Sequence, residues 1–593
     1  MTQPKLFQFI SDGYARFLEA QQVRMSSNFD GLPLLAILGL ICGLFSGAII
    51  ILFRVIMDGG ASFIIPSSSL EGFEELSPSL RFGLCVAGGL VVGFLLHIFR
   101  GQSKNVGVVH VIERLEYHQG YLPFKNAILQ FVTAIISLLS GHSVGREGPS
   151  VHLGATSGSI LGRILQVPNN SVRILVGCGV AAAISAAFNT PLAGVIFAME
   201  VVIMEYSVIG FTPVIIAAVS STTLTRILLG NELTIIAPTY DINFLFEIPL
   251  VALMGAVIGC IAAFFIQATV FTSSLFTKKA IWKRTLLAGI ITGTIAMLLP
   301  EIMGTGYDTV NHVLLTKIGL TGVLLLTIAK VLTTSTAIGL GIPAGLIGPT
   351  LFIGAVAGSA FGLFAAEFNH GIAGAGFYAM LGMAAMMAAT LQAPLAALIY
   401  LLELTSNQAI ILPGMAAVIT ASLVTRVVFR KSSIYRHLML ARGLDYRNSP
   451  RAKTLRRIGV ASVMQRDFAQ AKKQISYLEA EEILKLEPRW VLLNLENKKQ
   501  TSLLPATDLA TYLSEQEIDD DSEKTDVTLD LVTIPAKRLD AVAIPIIATL
   551  QEAHEKMQTN DCSVLYVTGA HGRSKRRIYG IITREHIDSS YQF

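Results

Sequence analysis

The sequence predicts an all-α membrane domain with many spans, built from two related halves whose helices are interrupted, followed by a soluble α/β domain. Three observations carry that prediction. First, 52% of the 593 residues are hydrophobic and only 15% are charged, against about 25% charged in ordinary soluble domains. Second, the charges are segregated: Leu32 to Phe429 is a series of apolar runs, and the chain after Phe429 is first basic and then mixed. Third, two stretches 200 residues apart, "GREGPSVHLGATSGSILG" from Gly145 and "GLIGPTLFIGAVAGSAFG" from Gly345, share eight of eighteen positions.

Residues 1–30 mix polar and apolar side chains without a secretory-signal pattern. The membrane region is expected over 31–440. Runs such as "LPLLAILGLICGLFSGAIIILF" and "IPLVALMGAVIGCIAAFFI" are near the 20 residues needed to span a bilayer as a helix. Others, such as "TPLAGVIFAMEVVIM" and "APLAALIYLLE", are short or broken by Gly and Pro. Helices that stop partway across need their free backbone ends buried in protein or facing a polar cavity. Residues 441–457 form a basic linker directly after the last span, which by the positive-inside rule is cytoplasmic. From 458 to 593 an α/β domain is expected, with strands at "RWVLLNLE", "SVLYVTGA" and "RIYGIIT" and amphipathic helices at "SYLEAEEILKL" and "ATLQEAHEKMQTN". The acidic run "SEQEIDDDSEKTD" reads as a solvated loop.

The repeat extends further. "NTPLAGVIFAME" and "QAPLAALIYLLE" match at Pro191/Pro394, Leu192/Leu395, Ala193/Ala396 and Glu200/Glu403, and each follows its glycine–proline motif at a separation of 42 or 45 residues. The halves are therefore about 31–230 and 245–430. Pro149 and Pro349 suit the first turn of a helix, and the glycines before them bring bare amides close to a ligand. A helix N-terminus carries roughly half a positive charge and unpaired N–H donors. Two such ends meeting near the bilayer midplane would make a weak anion site, as a conductor requires.

Intramembrane carboxylates are costly and mark function. Glu147 sits between the motif glycines, where an anion would bind, so its carboxylate can compete with the ligand and its protonation can free the site. Glu200 and Glu403 occupy equivalent positions and are expected to make structural hydrogen bonds. Glu205 is expected near a helix end and exposed, and Glu147 could also pair with Arg146. The five cysteines, Cys42, Cys85, Cys178, Cys260 and Cys562, show no metal-ligand spacing or disulfide framework and read as small buried residues.

"GREGP", "AAFNTPLAGVIFAME", "GIPAGLIGP" and "APLAALIYLLE", in that order, resemble the CLC family of chloride channels and proton/chloride exchangers, and the tail is similar to the paired CBS domains many members carry. The resemblance implies inverted repeats and a homodimer with one anion pathway per subunit. It places the gating glutamate at Glu147, within the filter motif Gly145, Arg146, Gly148 and Pro149. It places the anion-holding amides at Leu346 and Ile347, flanked by Gly345, Gly348 and Pro349, and a hydroxyl donor at Tyr435. The family's first filter motif falls on Asn105, Val106, Gly107, Val108 and Val109. Val106 stands where the family has a serine hydroxyl, which shifts the load onto amides and Tyr435. In exchangers an inner proton-transfer glutamate follows the position of Glu200, and here that residue is Val201.

The expected function is thus a passive, glutamate-gated chloride channel in a bacterial inner membrane, with both termini cytoplasmic. The alternative is a proton-coupled exchanger, and a fluoride exporter ranks third. Scattered acids argue against a cation transporter, whose site needs several oxygen ligands together. A net charge of +4 gives no sign of a nucleic-acid partner. Neither enzymatic activity nor a metal or other cofactor is expected. Adenine-nucleotide binding by the tail is left open, because Pro505 and His586 depart from the pattern that holds a ribose. The partners expected are a small anion, membrane lipid and a second copy of the chain.

Overall fold

A computed structural model describes residues 31–66, 71–99, 105–231, 244–368, 373–444, 450–494, 501–516, 528–569 and 577–590. The N-terminal segment and most of the acidic run lie outside these residues. The chain forms two compact units, one comprising 35–161 with 172–446 and the other comprising 447–593 with 162–171 and the first residues.

The membrane unit is helical, and its two halves correspond element by element. The first half contains α1 (Leu32–Ile64), α2 (Pro78–Ile98), α3 (Val108–Tyr117), α4 (Phe124–Leu139), α5 (Glu147–Ile164), α6 (Asn169–Phe188), α7 (Pro191–Phe197) and α8 (Val208–Leu229). The second contains α9 (Phe244–Leu275), α10 (Ile281–Leu298), α11 (Tyr307–Leu314), α12 (Leu320–Leu340), α13 (Ile347–Phe368), α14 (Ala375–Leu391), α15 (Pro394–Thr405) and α16 (Ile411–Leu423), and α17 (Ile434–Ala441) follows. The order of long, long, short, long, long, long, short, long recurs, with α16 completed by the turns on either side into a span of 21 residues, Gln408–Val428. Among the described residues, nine helical segments are long and apolar enough to cross a membrane. Their outward faces carry side chains such as Phe45, Leu52, Leu228 and Ile328, all exposed, as lipid contact allows. Cys260 belongs to this outer face and is exposed, unlike the other four cysteines, because a membrane domain can leave apolar positions outside its core.

The shared glycines divide into two sets. Gly154 packs against Gly179 and Gly158 against Leu175, so a Cβ on either would come within 2.1 Å of a carbonyl oxygen of α6. Gly354 and Gly358 meet Gly382 and Tyr378 of α14 in the same way, at 2.2 Å. These four let backbones approach closely, as small residues do between membrane helices. The other set belongs to the site. α5 and α13 run 18 and 22 residues, with Pro149 and Pro349 in their first turns. The interruption is at their N-terminal ends.

The second unit holds a six-stranded mixed sheet in the order β1 (Phe468–Lys472), β3 (Trp490–Asn494), β4 (Thr501–Pro505), β6 (Leu539–Pro545), β7 (Val564–Thr568) and β8 (Ile578–Thr583), with β2 (Gln474–Ser476) and β5 (Thr528–Asp530) paired separately. β1–β3 and β6–β7 are parallel, and the other neighbours in the large sheet are antiparallel. Two successive strand–helix–strand–strand–helix units are present. The helices of the first are Tyr477–Lys485 and Ala506–Glu515, and those of the second are Leu550–Thr559 and Arg584–Ser589. Each unit has its own apolar core, one around Val491 and Leu509 and the other around Leu565 and Met557.

Candidate functional site

The two glycine–proline motifs meet. Gly145 and Gly345 form an antiparallel bridge, each amide donating to the other's carbonyl at 2.9 and 2.7 Å. The two copies therefore run in opposite directions where they touch, a relation that repeat spacing alone does not specify. From this bridge α5 and α13 start within two residues, so both N-terminal ends are brought to one place.

Glu147, the first residue of α5, lies in the junction and is 1% exposed. Its Oε1 accepts the amide of Gly348 at 2.8 Å and the hydroxyl of Tyr307 at 3.2 Å. The carboxylate thus takes an N–H from the N-terminal turn of the other repeat's helix, an end that favours negative charge. The motif glycines make room for it. A Cβ at Gly145 or Gly345 would come within 1.9 or 2.3 Å of Oε2, and one at Gly348 within 2.8 Å of Oε1. Oε2 is buried and has no hydrogen-bond partner among the described residues. Leu346 and Ile347 open α13, so their amides have no acceptor within the helix.

Arg146 does not pair with Glu147. Its guanidinium lies over the rings of Phe188 and Tyr307, at 5.3 and 5.7 Å from their centroids. Tyr435, the second residue of α17, is buried, and Tyr307, Tyr400 and Tyr435 all lie within electrostatic reach of the Glu147 carboxylate. The stretch that the resemblance assigns to a first filter motif leads into α3. Gly107, at φ +84°, turns the chain into the helix, Val108 and Val109 are buried in its first turn, and Val106 is half-buried beside it. The carbonyl of Asn105 is held by Asn126 Nδ2 at 2.8 Å.

Glu200 and Glu403 have the structural role expected, and it is reciprocal. Glu403 accepts the amides of Leu192 and Ala193 at 2.9 and 2.8 Å, at the start of α7. Glu200 accepts those of Leu395 and Ala396 at 3.3 and 2.7 Å, at the start of α15. Each half supplies the carboxylate that satisfies the orphan donors of the other half's proline-led helix. Val201 is buried in the π-helical turn Ala198–Ile203. Glu205 is not exposed as expected. Its side chain is 10% exposed and 4.0 Å from Arg173, which also lies 3.5 Å from Glu116, because the chain after the π turn folds back against α3 and α6.

Other polar side chains held by partners within the membrane unit were not evident from the sequence. Lys330 on α12 donates to the carbonyls of Ile302 and Gly304 at 2.9 and 3.1 Å, with its ammonium 4.4 Å from the Phe352 centroid. Glu71 accepts the amides of Gly306 and Tyr307 at 2.9 and 3.1 Å and so fixes the start of the helix that carries the Tyr307 hydroxyl. Glu247 accepts the Ala373 amide and the Tyr378 hydroxyl, both at 2.5 Å. Their partners come from distant parts of the chain, so no local motif marks them.

Residues 88–426 match the family described as voltage gated chloride channel. A putative chloride channel protein ClcB-like of Ralstonia nicotianae is 31% identical over 56% of this chain and 80% of its own length. An H(+)/Cl(-) exchange transporter ClcA of Vibrio cholerae is 32% identical over 56% of this chain and 74% of its own. The crystal structure of a eukaryotic CLC transporter superposes with a TM-score of 0.59 at 19% identity, covering 93% of this chain and 97% of that one. The paired helix ends, the seated glutamate and these similarities agree: the chain belongs to the voltage gated chloride channel family.

Proposed function

We propose that this protein exchanges a small anion, chloride first, for protons across the membrane. The observation that carries this is the seat of Glu147: one side chain occupies the place of an anion and is itself a proton acceptor. When Glu147 is ionised, its carboxylate holds the Gly348 amide and the Tyr307 hydroxyl and competes with chloride. When it is protonated, its claim on those donors weakens and an anion can take them. The same event that admits the anion loads a proton, which is the elementary requirement for exchange. Val201 pointed toward a passive channel. Relatives named exchange transporters, aligned over most of their own length, favour coupling instead, and a missing acid at one position removes one carrier without excluding others.

Under this proposal the anion rests on the amides of Leu346 and Ile347 and on the hydroxyl of Tyr435, with Val106 contributing no donor. The protein works as a homodimer with a pathway in each subunit, and the tail is a cytoplasmic CBS pair. The test is a pH gradient imposed across reconstituted liposomes at equal chloride on both sides. Net chloride movement against zero chloride gradient is expected. If chloride moves only down its own gradient or with voltage, the passive channel is the correct description.

A further inference from the structure

We infer that Glu71 is a positioning residue that sets the pH at which Glu147 leaves its seat, acting through the Tyr307 hydroxyl; this rests on the competition between Glu147 and the anion proposed above. The contacts form an unbroken series. Glu71 Oε1 accepts the hydroxyl of Thr305, and its Oε2 accepts the amides of Gly306 and Tyr307 at 2.9 and 3.1 Å. The Tyr307 hydroxyl then donates to Glu147 Oε1 at 3.2 Å.

The stretch "GTGYD" at 304–308 shows why the turn needs outside support. Gly304 and Gly306 have φ of +54° and +73°, a region that glycine enters freely, so the turn has little stiffness of its own. The start of α11 also leaves amides without an acceptor in the helix. Two opposite charges from distant parts of the chain hold this turn. Glu71, from the link between α1 and α2, takes its amides, and Lys330 of α12, 0% exposed, donates to the carbonyls of Ile302 and Gly304. The two charges lie within electrostatic reach of each other. Phe352 of α13 is the floor of the turn: a Cβ at Gly306 would come within 2.7 Å of its ring, and the Lys330 ammonium lies 4.4 Å from its centroid. The first turn of that same helix supplies the Gly348 amide to Glu147. Both donors on the Glu147 carboxylate are therefore referenced to α13, one directly and one through the turn that Glu71 fixes.

A phenol reaches far from its backbone, so a small rotation at the start of α11 moves the hydroxyl beyond hydrogen-bond range. Each donor on Glu147 favours its ionised form. A misplaced Tyr307 hydroxyl therefore lets Glu147 take its proton, and yield its seat, at a higher pH. A direct field effect has the opposite sign: removing the negative charge of Glu71 would favour ionised Glu147 and move the profile to lower pH. The other groups acting on Glu147 or on its tyrosine are Arg146, Tyr400 and Tyr435. Those acting on Glu71 are Asp308, Arg146 and Lys330, and Glu74 and His312 act on Asp308.

The experiment measures chloride efflux against pH, between 5 and 8, from liposomes containing the full-length protein. The proteins compared are the wild type, Glu71→Gln, Thr305→Val, Tyr307→Phe and Glu71→Gln with Tyr307→Phe. Glu71→Gln is expected to raise the midpoint of the profile by about half a pH unit, a threefold change in proton affinity, and to add nothing once Tyr307 is Phe. Thr305→Val keeps the carboxylate and both amide bonds, is expected to shift the midpoint the same way by less, and carries the test if Glu71→Gln does not fold. An unchanged or lowered midpoint in these single variants, even with lower thermal stability, overturns the inference alone, as does a full Glu71→Gln shift that persists with Tyr307→Phe. A wild type whose flux ignores pH overturns the competition at Glu147 and the role of Glu71 together.

Discussion

Under the proposed function Glu147 carries both the anion mimic and the proton site, so single substitutions around it should separate the two. Glu147→Gln keeps the shape, removes the charge and is expected to raise anion flux at neutral pH and to abolish its pH response, measured as chloride efflux from liposomes between pH 5 and 8. Tyr307→Phe removes one of the two donors on the carboxylate. A hydrogen bond to a charged group is worth about 1.5–3 kcal/mol, so the side chain should leave its seat roughly tenfold more readily. Anion flux at neutral pH should then rise toward that of Glu147→Gln, and the double variant should add nothing. An additive double variant would show that Tyr307 acts elsewhere. Much of this site was legible in the sequence, because "GREGP" concentrates its meaning in five adjacent residues. Tyr307, Lys330 and Glu71 were not legible, since each is defined by a partner far away in the chain.

At the scale of elements, the halves are tied by exchanged caps as well as by packing. Glu200 and Glu403 each close the N-terminus of a helix in the other half. Losing an N-terminal cap costs about 0.5–2 kcal/mol, with a further contribution from the helix dipole. Glu403→Gln and Glu200→Gln should therefore each destabilise the membrane unit by about 1–2 kcal/mol, read as a lower midpoint of thermal unfolding in detergent, and by similar amounts because the two contacts are equivalent. A large effect from one and none from the other would show that the equivalence is geometric only. The matched positions of the two acids were plain in the alignment of the halves. Their crossing was not, because a repeat in sequence says which residues correspond and not which ones touch. Glu205 failed for a related reason: a carboxylate near a helix end looks solvated until Arg173 arrives from another helix.

For the whole molecule, periodicity and composition were enough to give two related helical halves and an α/β tail, since long apolar runs and alternating patterns are local signals. The strands β1, β2, β4, β5 and β6 were missed: the first four are three to five residues long and partly polar, and β6 follows no simple alternation, so sheet pairing defines them. The eight-by-eight correspondence of helices emerged only with the short α3 and α11, whose eight to ten residues are too few to stand out as spans. The exchanged caps have a further consequence. Neither half is expected to be self-sufficient: alone, each would leave a helix end without its carboxylate and half of the proposed anion seat. Two separate polypeptides, cut within residues 232–243, should each be degraded when made singly and should rescue one another when made together, recovering chloride transport. The duplication then describes a pair of mutually dependent chaperones, and the covalent link between them serves chiefly to keep their numbers equal.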